Sequence, residues 1–142
     1  MSEQRDCVFL LADHAMELML KAFFGRERWW SSLVPAEHPW QNRHTAPFTI
    51  DCVGGEDIIV ARGTNDPGVY DNAQELLRPY LHSHQHAMII LDQEYGTDRS
   101  AEETRTHIEQ NLEANGWSRE QFEVAVIDPE LENWIWMDSA HV

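Results

Sequence analysis

Ala87-Met-Ile-Ile-Leu-Asp-Gln-Glu94 decides how the chain reads. Five apolar residues in succession, rich in Ile and without polar alternation, predict a strand enclosed on both faces, as a parallel sheet requires. The run stops at Asp92 and Glu94, which have no place in its core. In open α/β sheets ligands sit outside the carboxyl ends of the strands. Acids at such an end are therefore candidate functional groups if other strands bring acids to the same edge.

Two other stretches do so. Cys7-Val-Phe-Leu-Leu-Ala12 is a second apolar run and ends in Asp13. Phe122-Glu-Val-Ala-Val-Ile127 is a third and ends in Asp128-Pro-Glu-Leu-Glu132. Helical patterns lie between them. His14 to Phe24 carries Ala15, Leu18, Met19, Ala22 and Phe23 on one face, with Met16, Leu20 and Phe24 as a second stripe. Asp13 suits its N-cap and Gly25 its C-terminal stop. Asn65-Asp-Pro-Gly68 opens another helix, with Asp66 a candidate cap. Val69, Ala73, Leu76, Leu77 and Tyr80 share its face, and Pro79 kinks or ends it. Ser100-Ala-Glu-Glu103 is a capping box for a helix running to about Asn115, before Gly116. Ser118-Arg-Glu-Gln121 repeats the pattern more weakly. Pro129 marks a further helix start, with Leu131, Trp134 and Ile135 spaced for one packed face. Strands alternating with helices predict an α/β domain with a mainly parallel sheet flanked by helices.

Two segments are less regular. Thr49-Ile-Asp-Cys-Val53 and Ile58-Ile-Val-Ala61 are strand-like around a Gly54-Gly55-Glu56-Asp57 turn. They form either a hairpin or a sheet strand with an edge partner. Residues 26–48 interleave Trp29, Trp30 and Trp40 with Arg26, Arg28 and Arg43. That composition suits a loop packing its own tryptophans, or a surface for single-stranded nucleic acid. No repeat, low-complexity tract or linker interrupts residues 1–142, so one domain is expected.

The chain holds 10 Lys+Arg against 25 Asp+Glu, a formal charge of -15. Such a surface repels bare nucleic acid and suits solubility, divalent cations or a basic partner. Cys7 and Cys52 form no disulfide framework and read as buried thiols. No run approaches the roughly 18 apolar residues of a membrane span. With no signal-peptide pattern, a cytoplasmic protein is expected. His82, His84 and His86 alternate, but a zinc site needs three or four ligands and no Cys or Glu stands beside them in sequence. A polar link from helix to strand is the simpler account of them.

Asp13, Asp92 with Glu94, and Asp128 with Glu130 and Glu132 would crowd one edge of a parallel sheet and raise one another's pKa. Helix capping and the helix dipole account for Asp13, Asp128 and Glu130. They do not account for Asp92 and Glu94, since no helix begins before Ser100. Mg²⁺ or Mn²⁺ would offset the crowding. Such ions take one or two carboxylates plus waters and substrate phosphates, and a pair of them suits phosphodiester cleavage.

This order resembles the TOPRIM domain, in which a glutamate follows the first strand and an Asp-x-Asp pair follows a later one. Pro129-Glu-Leu-Glu-Asn-Trp134 is similar to the Pro-Glu-Leu-Glu-x-Trp signature of a TOPRIM-like group related to overcoming-lysogenization-defect nucleases. That group includes small subunits of bacterial anti-phage systems such as the methylation-associated one, and the Asn65-Asp-Pro-Gly68 turn is similar to theirs. The resemblance spans most of residues 7–136. It departs at Asp13, which stands in for the glutamate, and at Glu94, which stands in for the second aspartate.

The resemblance implies a metal-dependent nuclease or nuclease subunit. Asp92 and Glu94 would hold Mg²⁺ or Mn²⁺, Glu130 and Glu132 would complete a second site, and Asp13 would be ligand or general base. Its substrate would be nucleic acid and its partners other proteins of a defence system. The alternative is a non-catalytic acidic subunit or sensor on the same fold. A zinc protein centred on His82, His84 and His86 is a third reading.

Overall fold

The computed structural model describes residues 4–51, 56–61, 65–92 and 100–127. Among the described residues four parallel strands form one sheet: β1 (Arg5–Leu11), β2 (Ile58–Val60), β3 (His84–Asp92) and β4 (Phe122–Ile127), in the order β2-β1-β3-β4. Three helices flank it: α1 (His14–Phe24), α2 (Asn65–Leu77) and α3 (Ala101–Ala114). The fold is thus the α/β class expected, and the three acid-ended strands β1, β3 and β4 are neighbours in the sheet.

Helix boundaries follow local chemistry. The Asp13 carboxylate accepts the Met16 N–H at 3.0 Å and starts α1. Ser100 Oγ accepts the Glu103 N–H at 3.1 Å and starts α3. The weaker box at Ser118 is also real, but it caps only a 3₁₀ turn, Arg119–Gln121, that leads into β4. After α3 the chain reverses through Gly116, whose φ is +106°. A Cβ there would lie 2.9 Å from the Leu81 Cδ2 atom, so both the backbone and the space call for glycine.

Helices α2 and α3 pack on each other and on one face of the sheet. That face is sealed: Val8, Leu10, Ile89 and Val124 are fully buried, as are Val69, Ala73 and Leu77 of α2 and Ile108 and Leu112 of α3. The opposite face is covered unevenly. Helix α1 lies over β1 and β2, joined by Phe9–Phe24 and Phe24–Trp29 ring contacts at 5.6 and 4.8 Å. Over β3 and β4, Met88, Ile90 and Ala125 are only half-buried and His86 and Glu123 are exposed. The enclosure of β3 on both faces, expected from its apolar run, therefore holds for one face alone.

Three further expectations change. The buried side of α1 is the stripe expected to be secondary. Met16 is fully buried and Leu20 and Phe24 pack on the core, whereas Leu18 and Met19 are 55% and 41% exposed. Aromatic contacts decide this, because Phe24 meets both Phe9 and Trp29. Ile58–Val60 is an edge strand parallel to β1, and no described residue pairs with it as a hairpin, since residues 49–51 are irregular. Residues 26–48 do pack their own tryptophans. Trp29 and Trp30 are buried, and Arg28 and Arg43 donate to carbonyls of the same segment, Gln41 and Thr45. Residues 52–55, with Cys52 and the Gly54-Gly55 half of the expected turn, and the side chain of Asp66, which lies inside α2 and not before it, are outside the described residues.

The amino edge of the sheet holds an ion cluster with no counterpart among the expectations. Asp57, fully buried just before β2, receives Arg5 Nε at 2.5 Å and Nη2 at 2.7 Å. It also receives the Asp51 N–H at 2.5 Å and lies 2.8 Å from His84 Nε2. Arg5 opens β1, His84 opens β3, and the two are register partners. One carboxylate thus ties the starts of three strands. Burial pushes the Asp57 carboxyl up, but Arg5, the Asp51 N–H and His84 outweigh it and hold it below the ordinary carboxylate value.

Asp57→Asn is expected to cost about 3 kcal/mol at neutral pH, because it removes the buried member of the Arg5 ion pair and leaves only the exposed Glu56, 3.2 Å away, as counter-charge. The carboxyl's folded pKa is depressed, so its contribution is full above about pH 4 and fades as pH falls through the folded value. Urea midpoints of wild type and variant should converge at low pH; an equal gap at neutral and acid pH counts against this account. On α1, Met16→Ala should cost about 2–5 kcal/mol and Leu18→Ser less than about 0.5 kcal/mol. The same unfolding curves read both.

Candidate metal site at the carboxyl edge

Asp92 is the last residue of β3, half-buried, and pairs in register with Ile127, the last of β4. On the other side, β1 pairs with β3 from Arg5↔His84 to Leu11↔Ile90, an offset of 84 − 5 = 79. The pairing continues one step beyond the strand, with the Ala12 N–H on the Ile90 carbonyl at 3.1 Å. Continued by the same offset, the register sets Asp13 level with Asp92. Asp13 keeps extended backbone, with φ −149° and ψ 172°, so the alternation of β1 carries through it. Asp13 and Asp92 then belong to the same side of the sheet, on its two central strands, at the edge where α/β sheets bind ligands.

Asp13 is also the cap that sequence reasoning allowed. Its Oδ1 takes the Met16 N–H, and a carboxylate has a second oxygen left for other work. The N-terminus of α1 adds partial positive charge there, which favours any anion brought alongside. Two carboxylates at one sheet edge suit a hard divalent cation, since Mg²⁺ takes one or two carboxylates and fills its remaining positions with water or phosphate oxygens. Asp92 and Asp13 could therefore hold one ion. Glu94, Glu130 and Glu132, expected as the other ligands, lie outside the described residues, as do Asp128 and the Pro129 to Trp136 stretch. Among the described residues no three His, Cys, Asp or Glu side chains gather as a metal site.

The three alternating histidines do not act together. His84 is buried and bound to Asp57 and to Ser83 Oγ, 2.8 Å away. His82 is exposed in the turn before β3, and His86 is exposed on the less covered face. A zinc centre built on all three is ruled out by the use of His84 as an ion-cluster partner at the sheet's amino edge.

Sequence reasoning missed Asp57. Its partners Arg5 and His84 lie 52 and 27 residues away, and an acid in a Gly-Gly-Glu-Asp turn carries no local mark of burial. The faint available signal was an arginine at the start of one apolar strand and a histidine at the start of another.

Among the described residues no helix is long and apolar enough to cross a membrane. No protein-family model matches the chain, and neither a curated protein nor a solved structure matches it.

Proposed function

We propose that the chain is a TOPRIM-like domain that binds Mg²⁺ or Mn²⁺ between β1 and β3 and serves phosphodiester hydrolysis, as a nuclease or nuclease subunit of a bacterial anti-phage system. The observation that carries this reading is the register that sets Asp13 level with Asp92. Asp92 supplies hard oxygens from a rigid strand end. Asp13 is oriented by its bond to the Met16 N–H and offers its second oxygen as ligand, or as base toward a water. Mg²⁺ or Mn²⁺ held by Asp13 and Asp92 would supply a polarised water and charge stabilisation for a leaving oxygen. Glu94, Glu130 and Glu132 are assigned to the rest of the metal set by the resemblance of their motifs. With a charge of -15, the surface gives little counterion release, so metal must carry the contact with a phosphate backbone.

A second reading, a non-catalytic acidic subunit that binds other proteins of such a system, is favoured by one observation. The described residues supply two carboxylates at this edge and no gathered set of three.

Mg²⁺ or Mn²⁺ at a hundredfold excess over Kd should add about 2.7 kcal/mol. For a chain of this size that raises Tm by about 8 °C. Asp92→Asn should abolish the shift. An unchanged wild-type Tm in millimolar metal sinks the metal reading, and a metal-dependent Tm without cleavage of any DNA or RNA favours the non-catalytic subunit.

Asp13 separates capping from metal binding. Asp13→Ser keeps a capping oxygen and should preserve metal-free stability, whereas Asp13→Ala should lose about 1 kcal/mol. Both should weaken the metal-induced shift. A Ser variant with the full shift would leave Asp13 as a cap and nothing more.

A further inference from the structure

The strand pairing supplies what the histidine run lacks in sequence. Cys7 of β1 is the register partner of His86 of β3, and Met88 follows two residues on. By strand alternation the three share one side of the sheet, the side that α1 leaves uncovered beyond β1. Neighbouring strands stand about 4.8 Å apart, so a thiol and an imidazole on register partners are within bridging distance of one ion. A cavity of about 380 Å³ opens here, walled by Cys7, Phe9, Phe48, His86 and Met88. A second concavity shares Cys7, His86 and Met88 and runs on to Glu123. The His86 imidazole has no hydrogen bond or ion pair with another described residue.

We propose that Cys7, His86 and Met88 form a site for a thiophilic, low-coordinate cation, Cu⁺ in particular. Thiolate, imidazole and thioether are the donors that select Cu⁺, and the thioether disfavours hard ions such as Mg²⁺. Phe9 and Phe48 give the cavity apolar surface alongside the polar Asp6 and Gln85, which suits an ion that sheds its water. The Cys7 thiol is pushed up to about 12 by burial, with Asp57 and Asp6 adding to the effect. It therefore keeps its proton until a cation displaces it to solvent, as ligand thiols do on metal binding. This site lies toward the amino half of the sheet, away from the carboxyl edge, and does not depend on the nuclease reading.

The test is anaerobic competition of the full chain against a Cu⁺-specific chelator, with the fold of each variant checked by circular dichroism. Wild type should withdraw one equivalent of Cu⁺. Cys7→Ser and His86→Ala should each lower affinity by about a hundredfold and Met88→Leu by about tenfold, as expected for lost ligands of a strong and a weak kind. Cys52→Ser should bind like wild type. Binding that survives both Cys7→Ser and His86→Ala, or that is lost with Cys52 instead, overturns the site. Should Cys7→Ser not fold, His86→Ala decides, because an exposed imidazole can be removed without disturbing the core.

Discussion

Asp57 is the constraint on which the sheet depends. A carboxylate without solvent contact is unfavourable by several kcal/mol unless its oxygens are filled. Here they are filled by a bidentate guanidinium, a backbone N–H and an imidazole drawn from three separate points of the chain. Any relative slip of β1, β2 and β3 would break this set. The cluster also holds β2, only three residues long, whose few ladder bonds alone would anchor it poorly. The register secured at the amino edge is the one that, carried past Leu11 and Ile90 by its offset, brings Asp13 level with Asp92 at the other edge.

The division of labour between the two edges accounts for the placement of charge. At the amino edge Arg5, Glu56, Asp57 and His84 are joined in one cluster, and the outcome is rigidity. At the carboxyl edge the acids stand at strand ends and helix starts, where the fold does not require them all. Asp13 does two jobs by position alone: it stops β1 and starts α1. Asp92 ends β3, and the next described helix, α3, takes its cap from Ser100 instead.

Much of this was legible locally. The bounds of α1 and α3 follow from Asp13, Gly25 and Ser100, whose effects reach only three or four residues. The strands β1, β3 and β4 follow from short apolar runs that end in acids. What the sequence could not disclose depends on partners far along the chain. Both stripes of α1 are apolar, so periodicity could not choose between Met16 and Leu18; Phe9 and Trp29 made the choice. Asp57 looked like a turn residue because Arg5 is 52 positions away. Cys7 and His86 became neighbours only through a pairing offset of 79, which no motif search scans. The acids beyond Asp92 and Ile127 rest on their motifs.

That offset has a consequence for how the chain folds. The two central strands enclose most of the sequence between them, so their pairing closes a loop of nearly eighty residues before any ladder bond is gained. Parallel pairings of this kind fold slowly, because chain entropy is lost before contacts compensate it. During synthesis β1 leaves the ribosome long before its partner exists. Its apolar run Val8 to Ala12 has to wait beside α1, whose Met16, Leu20 and Phe24 can shelter it in the meantime. The ring contacts of Phe9 with Phe24 and of Phe24 with Trp29 join residues close in sequence, so they need no late partner and can form while β3 is still unmade.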